Sequence, residues 1–160
     1  MIARTTRTSV IVALTAAVGL LVAGCGGGST KVASAAGAPG DPARAARTVD
    51  VKAGDDLRFQ PDQVQVKVGE TITFKINNTA TIEHDFTLGD AAAQSAHDKE
   101  MVSSSSGGQM NMADEPNAIR IAPGTTKDIT WTFTSAGTTL FGCHEPGHYA
   151  SGMKGTITVS

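Results

Sequence analysis

Apolar and polar residues alternate with a period of two through most of the chain beyond residue 60. Such alternation places the apolar side chains on one face of an extended segment, which is typical of a half-buried β-strand. Turn-forming pairs, among them Gly69-Glu70 and Pro123-Gly124, separate the segments at short intervals. The pattern predicts an all-β sandwich or barrel rather than βαβ units. The predicted strands are residues 64–68, 71–76, 119–121, 129–133 and 155–159.

One stretch interrupts this strand pattern. Residues 90–100 are rich in helix-forming residues, and Asp90 can cap the first turn of a helix. We therefore predict a short helix within an insertion, at about residues 89–117, that is partly helical or disordered. A connection of this length in a compact domain is usually functional or disordered.

The first 24 residues have the pattern of an export signal. Arg4 and Arg7 precede an apolar run at residues 10–23, which is shorter than the roughly 20 residues that a transmembrane helix needs. The run ends in the sequence LVAGC, which resembles the lipobox of bacterial lipoproteins and makes Cys25 the predicted site of lipidation. The alternative is an ordinary signal peptide that is cleaved after the small residues at 33–35.

We divide the chain into a lipoprotein signal peptide at 1–24, a lipidated Cys25 with a flexible tether at 25–47, and one domain at 48–160. The tether is rich in Gly, Ala, Ser and Pro and has no hydrophobic period, as in flexible linkers. The domain has eight Lys or Arg against fourteen Asp or Glu, a net charge of minus six. Nucleic acid is therefore an unfavourable partner, whereas basic proteins or cations suit such a charge.

The chemistry of the domain is concentrated near its end. Cys143, His148 and Met153 follow one another in a C-x4-H-x4-M spacing just before the last predicted strand. A thiolate, an imidazole and a thioether form a soft ligand set, which selects copper over magnesium, calcium or manganese. Cys143 is the one cysteine of the domain, so lipidation of Cys25 excludes a disulfide between the two.

With His84 added, the pattern resembles the cupredoxins, the small blue-copper proteins that include plastocyanin, azurin and rusticyanin. The resemblance covers about residues 57–160 and implies a Greek-key β-sandwich that transfers one electron at a time. It also implies a type 1 copper site in which His84, Cys143 and His148 form a trigonal set and Met153 a weak axial contact. The step from Cys143 to His148 looks more like that of rusticyanin than the shorter step of plastocyanin.

Two neighbours of these residues lead to further expectations. Many family members have an amide or hydroxyl residue after the first histidine, whereas this chain has Asp85, a carboxylate that favours Cu(II) and thus lowers the reduction potential. Adjacent residues of a strand point to opposite faces. We therefore expect His144, next to Cys143, to be exposed and available to a partner.

The insertion contains a second set of soft side chains, His97, Met101, Met110 and Met112. Because imidazoles and thioethers bind Cu(I), these four residues are candidate ligands of a second, exchangeable copper. The alternative is that the methionines fill gaps where the insertion packs on the sandwich. Similar insertions occur, by resemblance, in cupredoxins linked to copper tolerance.

Two functions follow as hypotheses. One is a one-electron carrier anchored by lipid to the outer face of the cytoplasmic membrane, with a redox protein as partner. The other is a copper-binding protein for resistance, buffering or delivery, with a copper-handling protein as partner. An enzyme is disfavoured, because copper nitrite reductases and multicopper oxidases need more histidines than the four in this chain. The chain also has no recognisable Ser/His/Asp signature.

Overall fold

The computed structural model describes residues 36–104, 112 and 115–160. The predicted signal peptide, Cys25 and Met110 lie outside these residues. The described part forms ten strands, which are β1 (Gly37–Pro39), β2 (Arg47–Ala53), β3 (Phe59–Gln60), β4 (Gln63–Val66), β5 (Thr71–Asn78), β6 (His84–Gly89), β7 (Ala118–Ile121), β8 (Thr126–Phe133), β9 (Gly137–Gly142) and β10 (Lys154–Val159).

These strands make two five-stranded sheets, in the orders β1-β8-β5-β2-β3 and β4-β10-β9-β6-β7. The pairs β2·β5 and β4·β10 are parallel, and the other pairs are antiparallel. The prediction of an all-β sandwich is confirmed. Each of the five predicted strands overlaps an observed one.

The core lies between the two sheets and is dominated by aromatic rings. Phe74 of β5 contacts Phe86 of β6 with 5.5 Å between ring centroids, and Phe86 stacks on Phe141 of β9 at 5.0 Å. Trp131 of β8 is also fully buried. Truncating one such ring to alanine costs about 3–5 kcal/mol in other proteins, so these contacts keep the two sheets in fixed relative positions.

The one described α-helix, α1 (Ala91–Ser104), packs against β6 and β9. Asp90 caps it as predicted, since its Oδ1 accepts the Ala93 N–H at 2.8 Å. Gln94 fixes the helix to the sheet by donating to the carbonyl of Thr87 at 2.9 Å. Because α1 covers the outer face of β6, all six residues of that strand are buried. No helix in the described ranges is long and apolar enough to cross a membrane.

The segment before β2 differs from the flexible tether predicted for residues 25–47. From Ala36 onward it is ordered against the first sheet, where β1 pairs with β8 and a short 3₁₀ turn, Pro42–Arg44, follows. Small residues allow this close approach, because a Cβ on Gly37 would lie only 1.9 Å from the carbonyl oxygen of Thr132. A three-residue edge strand of this kind leaves no alternation to detect in the sequence.

Asn78, at the end of β5, connects the loop that precedes His84 to the neighbouring sheet. Its amide donates to the carbonyls of Ile82 and Ile121, both at 2.9 Å, and its Oδ1 accepts the Ala80 N–H. The Asn78→Ala variant is expected to lower the free energy of unfolding by about 2–4 kcal/mol, because buried polar groups lose their partners. Urea denaturation measures this, with the exposed neighbour change Asn77→Ala as control. Equal effects of the two changes would contradict the assignment.

Candidate metal centre

Three metal-binding side chains converge at one end of the sandwich. His84 begins β6, Cys143 follows β9 directly, and His148 lies in the loop between β9 and β10. The Nδ1 atoms of the two histidines are 3.2 Å apart, and Cys143 Sγ lies 3.3 Å from Nδ1 of His148 and 3.7 Å from Nδ1 of His84. His84 and Cys143 are fully buried, whereas His148 is half-buried. Three of the four predicted ligands, His84, Cys143 and His148, are therefore brought together.

The loop from Cys143 to Met153 is held by its own backbone. The Cys143 N–H donates to the Met153 carbonyl and the Met153 N–H to the His148 carbonyl, both at 3.0 Å. These two hydrogen bonds hold Met153, which is fully buried, next to both Cys143 and His148. Gly152 has φ of +98°, a conformation that glycine adopts without a steric penalty. Arg58 adds an external support by donating to the Ser151 carbonyl at 2.7 Å.

The electrostatics of the cluster suit a soft cation. Burial lowers the pKa of His84, and the adjacent His148 lowers it further; burial likewise lowers the pKa of His148. Both imidazoles are therefore neutral near pH 7 and can offer lone pairs. Burial, followed by the charge of Asp85, raises the pKa of the Cys143 thiol, so a metal must displace its proton on binding.

Donor type and spacing both fit copper. Metal bonds to imidazole nitrogen and thiolate sulfur are about 2.0–2.3 Å long. Donor atoms 3.2–3.7 Å apart can therefore surround one ion without a large rearrangement. Two imidazoles and one thiolate with a methionine beside them form the soft set that is characteristic of type 1 copper.

Asp85 lies directly behind this cluster. Its backbone N–H points to Cys143 Sγ at 3.4 Å, and its carboxylate is fully buried. Oδ1 accepts the His144 N–H, while Oδ2 lies 3.3 Å from the Thr87 hydroxyl and 3.1 Å from His97 Nε2. The carboxylate therefore connects the strand of the first ligand, the loop of the second and the insertion.

The expectation that His144 is exposed was wrong. The side chain does point away from the cluster, but α1 covers that face and leaves the residue buried. Its Nε2 lies 2.7 Å from Gln94 Oε1, and its ring stacks on Tyr149 at 4.6 Å between centroids. His144 thus packs α1 against the ligand loop.

The four candidate residues of the second copper site are only partly described. His97 is buried with its nitrogens facing the carboxylates of Asp85 and Glu115. Met101 is also buried, with Sδ 3.9 Å from a guanidinium nitrogen of Arg120. Met112 is half-buried, and Met110 is outside the described residues. A Cu(I) site formed by these four residues therefore stays a prediction.

His97 makes the stability of the metal-free protein depend on pH. Burial alone lowers its pKa, but the hydrogen bond to Asp85 and the charges of Asp85 and Glu115 raise the pKa above its ordinary value. Glu100 on the same helix and the His144 ring, 5.1 Å away, also face it. A raised pKa in the folded state stabilises the fold fully below about pH 6.5, and the contribution disappears as pH rises through the folded-state pKa.

The stability difference between the wild type and His97→Gln is therefore expected to shrink between pH 5.5 and 8.5. Urea denaturation of both metal-free proteins at several pH values measures it. His84 and His148 have lowered pKa values and therefore give the stability the opposite dependence on pH. Both residues are present in both proteins, so their contribution largely cancels in the stability difference. A difference that stays constant or grows with pH would contradict the ion pairs of His97.

Sequence reasoning missed several residues that support the site. Gln94 and Glu115 approach it from the insertion, and Arg58 from the loop before β3. Their contacts are tertiary and have no local pattern. The i, i+3 spacing of His97 and Glu100 is visible in the sequence, but a glutamate is not a soft ligand and was not among the predicted residues.

One protein family matches most of the chain. The family described as copper binding proteins, plastocyanin/azurin family, matches residues 45–160. The chain belongs to this family. Copper is accordingly the cofactor of this cupredoxin, and the resemblance seen in the sequence is confirmed.

Three similar proteins place this cupredoxin within the family. It is 44% identical over 123 residues to the copper-resistant cuproprotein CopI of Rubrivivax gelatinosus, covering 77% of this chain and 72% of the relative. Auracyanin-A of Chloroflexus aurantiacus is 30% identical over 164 residues, which cover 98% of each chain. The crystal structure of dithionite-reduced auracyanin from Roseiflexus castenholzii superposes with a TM-score of 0.62 at 32% identity, covering 72% of this cupredoxin and 98% of that chain.

Proposed function

We propose that this cupredoxin carries single electrons outside the cytoplasmic membrane through a type 1 copper held by His84, Cys143, His148 and Met153. The observation that supports it most is the buried cluster of two Nδ1 atoms and one Sγ within 3.7 Å of one another. Copper bound there supplies a one-electron couple between Cu(II) and Cu(I).

The protein's own residues make such a couple fast. The sandwich core and the hydrogen-bonded ligand loop hold the donors in nearly fixed positions, so little has to rearrange when the charge changes. Packing of α1 and Tyr149 around His144 keeps water from the side of Cys143. His148 is the proposed ligand nearest to solvent and provides the route to a redox protein partner.

A second candidate function is copper resistance, buffering or delivery. It is supported by the 44% identity to a protein named for copper resistance and by the soft residues of the insertion, His97, Met101, Met110 and Met112. In that function copper is the cargo, and the partner is a copper-handling protein. Neither function requires catalysis, and we propose no enzymatic activity.

A copper titration of the protein without residues 1–24 distinguishes the two functions. A carrier is expected to bind one copper tightly, with an intense thiolate-to-Cu(II) absorption band at one equivalent. A copper-handling protein is expected to bind a further equivalent of Cu(I), which the double change Met110→Leu and Met112→Leu removes. Absence of the absorption band would refute the type 1 site.

We also propose that the protein is a lipoprotein, with Cys25 lipidated after removal of residues 1–24. The acidic domain would then lie near the outer face of the membrane. Its partners there would be proteins, and nucleic acid would not be a partner. Mass spectrometry of the mature N-terminus tests this. An unmodified N-terminus after residues 33–35 would instead indicate an ordinary signal peptide.

A further inference from the structure

A second group of metal-binding side chains lies in the insertion, separate from the copper ligands. His97 and Glu100 belong to α1, and Glu115 precedes β7. One donor atom from each of the three lies within 4.8 Å of the others. Residues three apart on a helix share a face, so His97 and Glu100 approach Glu115 from the same side.

His97 is oriented as a metal-binding histidine would be. It is only 4% exposed, and its Nε2 lies 3.1 Å from the buried Asp85 carboxylate. A hydrogen on Nε2 donated to Asp85 leaves a lone pair on Nδ1. Metal-binding histidines usually donate their other ring N–H to a carboxylate in this way, which fixes both the tautomer and the ring orientation.

The opposite nitrogen faces negative charge without a well-formed hydrogen bond. His97 Nδ1 is 2.8 Å from Glu115 Oε2, yet it is a buried atom with no partner of hydrogen-bond geometry in the described structure. Two donor atoms that each lie about 2.1 Å from one ion at a right angle are separated by about 3 Å. The 2.8 Å separation therefore suits two ligands of one metal.

From this geometry we propose that His97, Glu100 and Glu115 form a second metal site, which binds a divalent transition ion such as Zn²⁺ or Cu²⁺. One imidazole and two carboxylates are harder donors than the thioethers of the predicted Cu(I) site, and they suit a divalent ion rather than Cu(I). The site goes beyond the proposed electron transfer and does not depend on it.

Asp85 connects the proposed second metal site to the copper site. The same carboxylate accepts from His97 and lies behind Cys143, whose Sγ faces the Asp85 N–H at 3.4 Å. A dication on His97 attracts the negative charge of Asp85 and opposes Cu(II) nearby. Occupation of the second site is therefore expected to raise the reduction potential of the first.

Calorimetric titration with Zn²⁺ of the protein loaded with one copper per chain tests the proposal, because that copper already occupies the Cys143 cluster. One Zn²⁺ per chain is expected, with Glu100→Gln and Glu115→Gln each weakening binding by at least 10-fold. The control Asp128→Asn, an exposed carboxylate on β8, is expected to leave the affinity unchanged. All these variants should keep the visible absorption of the first site.

Two results would overturn the second site. One is the lack of any saturable Zn²⁺ binding, as expected if His97 carries only a proton between two carboxylates. The other is wild-type affinity in both glutamine variants. Zn²⁺ binding in a Cys143→Ser protein that the added change Glu115→Gln weakens would support the second site even if the proposed electron-transfer function failed, because the addition leaves His84 and His148 unchanged.

Discussion

The Cys143→Ser variant is expected to lose the intense visible absorption of the Cu(II) protein. That absorption arises from charge transfer between a thiolate and Cu(II), and a hydroxyl cannot replace the soft sulfur donor. Losing a group that only supports a ligand already costs about 10–100-fold in metal affinity, so losing this ligand is expected to cost more than about 100-fold. Copper titration followed by visible absorption measures both effects.

The change is small enough to leave the fold in place. Serine is nearly isosteric with cysteine, and its oxygen can accept the Asp85 N–H that now points to Sγ. Cys25→Ser is the matched control, because it removes the other cysteine of the chain. If Cys143→Ser kept the absorption band while Cys25→Ser lost it, the copper would have been assigned to the wrong cysteine.

The Asp85→Asn variant is expected to have a higher reduction potential. A buried carboxylate stabilises Cu(II) over Cu(I), and at a separation of about 6 Å and an effective dielectric constant of about 20 one charge is worth about 3 kcal/mol. This corresponds to a shift of about 130 mV for a one-electron couple. Protein-film voltammetry measures the potential directly.

A matched control separates local charge from net charge. Asp98→Asn makes the same chemical change on α1, but the Asp98 side chain is 53% exposed and is therefore screened by water. Its shift is expected to be much smaller. An unchanged or lower potential in Asp85→Asn would refute the electrostatic role of the carboxylate.

The sequence was most informative where structure is local and periodic. Strands such as β5 and β8 have one buried face, so alternation predicted them. The C-x4-H-x4-M spacing placed three donors on one loop, and the resemblance to cupredoxins added His84 from the neighbouring strand. In strand β6 burial does not alternate, because α1 buries its outer face as well.

The insertion shows what sequence patterns could not reveal. Its helix and the cap at Asp90 are local features and were predicted, but the surface that the helix covers is set by tertiary packing. For this reason His144 was predicted to be exposed, although it is buried beneath α1. The carboxylates around His97 come from three separate segments, and nothing in their spacing along the chain brings Asp85 and Glu115 together.

The most direct test of the copper assignment is a crystal structure of the copper-loaded protein with data collected at the copper absorption edge. At one copper per chain we expect one strong anomalous peak, within bonding distance of Cys143 Sγ and the Nδ1 atoms of His84 and His148. A principal peak at His97, or one without Cys143 among its ligands, would contradict the central claim.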